Sequence, residues 1–91
     1  MNAALDALAQ RFAGRCRDNR AELAVAVETK DRDALKHLAH KLVGAAATFG
    51  HPELTAAAAA VEDALDAETW PDGAALDRLD HALASVAAKA P

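Results

Sequence analysis

Apolar residues recur along this chain at steps of three and four, and no stretch alternates with period two, so the pattern predicts helices throughout. Over residues 3–29, Leu5, Leu8, Phe12, Cys16, Leu23 and Val27 stay roughly on one helical face. Gly14 interrupts that stripe and marks either a kink in one bent helix or a break that adds an extra N-terminal helix. A second stripe, Leu35, Leu38, Ala39, Leu42, Ala46 and Phe49, runs over residues 32–49, with Asp31 suited to its N-cap and Gly50 to its C-terminal end. Pro52 suits the first turn of a third helix over 52–67, where Leu54, Ala57, Ala58, Val61 and Leu65 share a face. Trp70 precedes Pro71 and so disfavours helix there, while Asp72 can cap a last helix reaching about residue 89. Leu76, Leu79, Leu83 and Val86 of that helix should face inward.

The expected fold class is all-α: an antiparallel four-helix bundle with an extra or kinked N-terminal helix, residues 1–91 forming a single domain. The connection around Gly50 is very short, which makes the second and third helices neighbours and the tightest hairpin.

Composition narrows the function classes. Of the 91 residues 53% are hydrophobic, but many are alanine, with two Phe, one Trp and no Tyr, so the helices can lie close and leave little room for an internal substrate cavity. A net charge of −4 argues against nucleic acid as the main partner, which would require a concentrated basic surface. There is no long apolar run for a membrane span and no signal-like N-terminus, so a cytoplasmic chain is expected. Cys16 is the only cysteine; it cannot form an internal disulfide and reads as a small apolar filler.

One position stands out chemically. Measured from Leu35 at the helical period, His40 lies about 140° round the second helix, Gly44 about 180° and Ala47 about 120°, which turns all three away from the apolar stripe. Gly44 in a helix interior costs roughly 0.5–1 kcal/mol relative to alanine. Either it lets a neighbouring helix of the same molecule pack closely, or it leaves room beside His40 for another protein, and its position opposite the stripe favours the second.

The segment AHKLVGAAATFG at residues 39–50 resembles the signature of histidine-containing phosphotransfer (HPt) domains. His40, Gly44, Ala45 and Ala46 match at the corresponding spacing, and Gly50 matches the glycine closing the helix. The following LTAAAAAVEDAL, with Glu62, looks like the family's next helix. Val43 departs from the pattern, since it stands where the family has a lysine three residues after the histidine.

The resemblance implies that His40 accepts a phosphoryl group from a receiver-domain aspartate and donates it to another. It implies as partners response-regulator receiver domains and a receiver-bearing hybrid histidine kinase. The magnesium belongs to the receiver, so this chain needs no metal or cofactor of its own. With no glycine-rich phosphate loop, it reads as a phosphocarrier without an ATP site rather than an enzyme. Imidazole suits the task because its ordinary titration lies nearest neutrality, leaving a lone pair available for phosphorus. Lys36, one turn before His40, and Lys41 are candidate cations for the phosphoryl group, the alternative being that both are ordinary solvated charges. His37, Val43, Gly44 and Ala47 are candidate docking residues, whereas His51 should belong to the turn and His81 to the face of the last helix.

Two other classes compete. His37 and His40 are close enough in sequence to share a metal, but a structural zinc needs about four ligands and no repeated ExxH pattern supplies them. A non-catalytic adaptor bundle, with His40 on its surface by chance, is the other. A hydrolase is disfavoured because no nucleophile, base and oxyanion site can be assembled.

Overall fold

The structure, a computed structural model, describes residues 3–90 and contains four helices: α1 (Ala3–Glu28), α2 (Arg32–Thr48), α3 (Pro52–Asp66) and α4 (Gly73–Ala87). Each helix packs against the two beside it, α1 on α2 and α4, α3 on α2 and α4, while the backbones of the diagonal pairs stand further apart. The most extensive of these interfaces is between α2 and α3, the hairpin expected from the short connection. The described residues therefore form an up-down-up-down square around a core that includes Phe12, Leu35, Leu42, Leu54, Leu65, Leu79 and Leu83.

Side chains and backbone geometry account for the ends of the helices. The Asp31 carboxylate accepts from the Ala34 N–H at 3.0 Å, and the Asp72 carboxylate from the Ala75 N–H at 2.8 Å, so both predicted caps are in use. At the other ends, Lys30, Gly50 and Glu68 take positive φ values of 56°, 76° and 59°. The next N–H in each case reaches back into the helix, Asp31 to Ala26, His51 to Ala46 and Thr69 to Ala64, each at 2.9 Å. These are Schellman closures, two of them built on residues with a Cβ that the left-handed region disfavours. Lys30 and Trp70 join the two connections at that end of the bundle, the ammonium lying 4.9 Å from the ring centroid. Arg32 adds a hydrogen bond to the Leu65 carbonyl.

Of the two readings left open at Gly14, the structure has the single helix, α1 being unbroken over its 26 residues. Leu5 and Leu8, placed by periodicity on the inward face, are 49% and 47% exposed. The reason is length: Phe12 stacks on Phe49 and His51 at ring-centroid distances of 5.4 and 5.8 Å, which sets it level with the α2–α3 turn. The turns of α1 before Phe12 therefore run past the end of the other helices, where periodicity continues but Leu5 and Leu8 stay about half exposed. Leu76 is half-buried and packs against the core from its edge.

Candidate functional site

α2 turns Leu35, Leu38, Ala39, Leu42 and Ala46 into the core, and this orientation carries His40 outward. Its side chain is 78% exposed. Nδ1 lies 2.6 Å from Oε2 of Glu62 on α3, whose own side chain is 19% exposed. Among the described residues Nε2 has no partner, so the imidazole is tethered at one nitrogen and open at the other.

Gly44, one turn further along α2, is exposed, and a Cβ built there would meet no atom within 4 Å. Close packing inside the molecule therefore does not explain this glycine. Ala47 is exposed as well, and with Pro52, Thr55, Ala56 and Ala59 it lines a shallow apolar groove between α2 and α3. Val43 is half-buried and packs against the core, while His37 is exposed.

Both candidate cations are engaged. Lys36 Nζ lies 2.9 Å from Asp66 Oδ1, and Lys41 Nζ lies 3.8 Å from Glu22 Oε2 on the opposite flank. All four side chains are about half exposed, and surface pairs of this kind contribute roughly 0–1 kcal/mol, so either lysine can be released to a stronger anion.

Among the other titratable groups, His51 lines the end of that groove between α2 and α3. His51 sits at the α2–α3 turn as expected, and burial, aided by the Lys89 charge, holds its pKa below the usual imidazole range. His81 is exposed on α4. Cys16 is fully buried, and that burial pushes its thiol pKa up against the smaller opposing effects of Arg15 and Asn19. Among the described residues no group of three or more His, Cys, Asp or Glu side chains is arranged to hold a metal ion, and no helix is long and apolar enough to cross a membrane.

Glu62, Ala56 and Ala59, the α3 half of this face, were not singled out as site residues from the sequence. A signal for Glu62 was present in the register: His40 and Glu62 lie equally far along the chain from His51, and so do Lys36 and Asp66. In a hairpin this tight, such pairs are level across the two helices. Comparison with curated proteins and with solved structures finds no match to either. The family model of the Hpt domain does match, over residues 7–89, and nearly the whole chain therefore belongs to the Hpt domain family.

Proposed function

We propose that this chain is a histidine phosphotransfer protein that carries a phosphoryl group between receiver-domain aspartates, with His40 as acceptor and then donor. The carrying observation is the ring itself, 78% exposed with one nitrogen hydrogen-bonded and the other open, on a helix face thinned by Gly44 and Ala47. Membership of the Hpt family supports the same reading, since its domains serve as phosphocarrier modules in phosphorelays.

In the forward step the Nε2 lone pair forms a P–N bond as the P–O bond to the receiver's aspartate breaks, the electron pair leaving on that carboxylate. In-line transfer of this kind relies on positioning and charge stabilisation. The receiver brings the magnesium and acidic pocket; this chain brings the ring and a surface that admits the receiver. His37, Val43, Gly44 and Ala47 form the α2 side of that surface, with Lys36 and Lys41 as exchangeable cations for the phosphoryl oxygens. The partners are response-regulator receivers and a receiver-bearing hybrid kinase in the cytoplasm, and residues 1–91 act as one domain without an ATP site.

The test is incubation with a phosphorylated receiver. Acid-labile, alkali-stable label should appear on the wild type and be absent from His40→Gln. Label that persists in His40→Gln, or none on either protein with any receiver from the source organism, would overturn this function.

A further inference from the structure

We propose that the face around His40 orients its receiver by a change of sign along the bundle. The partner it fits is a receiver whose docking surface is acidic toward the α2–α3 turn and basic toward the α1–α2 turn. This rests on the phosphotransfer reading above and adds how one receiver, in one rotation, is selected.

The sign change follows from the levels at which the helices meet. Phe12 is level with Phe49 and Glu22 with Lys41, so the start of α1 and the end of α2 lie at the same end of the bundle. Arg11, Arg15, Asp18 and Glu22 follow at helical spacing along the flank of α1 that meets α2, and the sign turns over between Arg15 and Asp18. On the side of the α2–α3 turn, Arg15 and Lys41 line one hollow between α1 and α2, over the buried Asn19. Arg11 stands exposed one turn further on. The carboxylates of that half point elsewhere. Glu53 lines a separate hollow with Ser85 and Lys89 of α4, and Asp6 lies about 140° round α1 from Arg11.

Toward the α1–α2 turn the same face is acidic. Glu62, Asp63 and Asp66 follow on α3, and Asp33 stands exposed two turns before His40 on the outward side of α2. Lys36 is paired with Asp66, while Arg32 and Lys30 are turned onto the Leu65 carbonyl and Trp70. From Arg15 to Glu22 is about 10 Å of helix, longer than the Debye length of about 8 Å at physiological salt, so the two halves act as separate patches.

Two patches do what one cannot. In-line transfer fixes the line along which the phosphoaspartate approaches Nε2 but leaves the receiver free to rotate about that line. A face of one sign attracts an oppositely charged receiver in every rotation. A face of two signs favours one rotation and opposes its reverse, in which like charges meet.

Three reversals of exposed charges test this: Arg15→Glu in the basic half, Asp33→Lys in the acidic half, and Arg78→Glu on α4, diagonally across the bundle from α2. Single-turnover transfer is followed from the receiver of the source organism that labels wild type fastest, over a range of its concentrations at low salt. Arg15→Glu and Asp33→Lys should each slow transfer about tenfold, the loss falling on the receiver concentration needed rather than on the maximal rate, while Arg78→Glu stays within about twofold. At 1 M salt, where the Debye length is about 3 Å, all three should converge on wild type. Arg15→Gln and Asp33→Asn should shift the rate the same way by less, and they carry the test if a reversal unfolds the bundle. Acceleration by Asp33→Lys would mean a receiver of one sign and overturns the proposal, as does an equal loss in Arg78→Glu. Wild-type rates in every variant overturn it and leave phosphotransfer standing, whereas a wild type that no receiver labels overturns both.

Discussion

Replacing Gly44 separates what this residue does for the fold from what it does for a partner. A Cβ at position 44 meets nothing within 4 Å, so alanine adds no strain and removes the conformational freedom that glycine retains in the unfolded chain. The expected gain is about 0.5–1 kcal/mol, or roughly 2–8 °C in Tm for a domain of this size. Gly44→Gln should also fold, since glutamine is a good helix former and the site is open to water. Phosphotransfer should move the other way. Gly44 lies one turn from His40 on the same exposed face, and a side chain there occupies the space a receiver needs. Overpacking a close interface costs about 1–3 kcal/mol, which corresponds to a loss of roughly 5- to 150-fold in receiver affinity. Thermal melts followed by circular dichroism, together with single-turnover transfer at several receiver concentrations, measure both effects. The reasoning is refuted if Gly44→Ala lowers Tm, or if Gly44→Gln accepts phosphate at the wild-type rate and affinity.

Three further outcomes are expected. Glu68→Gly relieves a left-handed residue at the end of α3, with φ at 59°, and should raise stability by about 1 kcal/mol; Lys30→Gly should gain less because it also removes the contact with Trp70, and denaturant melts of both compare them. His51 has its pKa depressed by burial, so the unfolded chain takes up the proton first and stability falls as pH drops below 6.5; His51→Gln should show a flatter dependence of Tm on pH over that window. Lys36→Ala should shorten the lifetime of phosphohistidine or slow its formation, and a lifetime and rate both equal to wild type would leave Lys36 as nothing more than Asp66's surface partner.

The α2–α3 hairpin shows how far periodicity reaches. Leu35, Leu38, Leu42 and Ala46 were legible as a buried stripe, and with them the outward placement of His40, because both follow from one angle per residue. Asp31, Asp72 and Pro52 announced their helix starts by side-chain chemistry acting over a single turn. Lys30 and Glu68 gave no comparable warning, since any residue can be forced into the left-handed region when the helix before it and the chain after it are held by packing elsewhere.

Local chemistry thus determined the helices, their order, the exposed histidine and the glycine beside it, because each depends on contacts within a few residues. Tertiary packing alone decided that Leu5 and Leu8 project beyond the bundle, because burial depends on what stands opposite and not on the stripe itself. It also decided that Glu62, rather than any residue of α2, grips the ring, and that Lys36 and Lys41 turn to carboxylates on different helices. The level at which two helices meet is set by the whole hairpin, and a contact between side chains 22 residues apart exists only once that level is set.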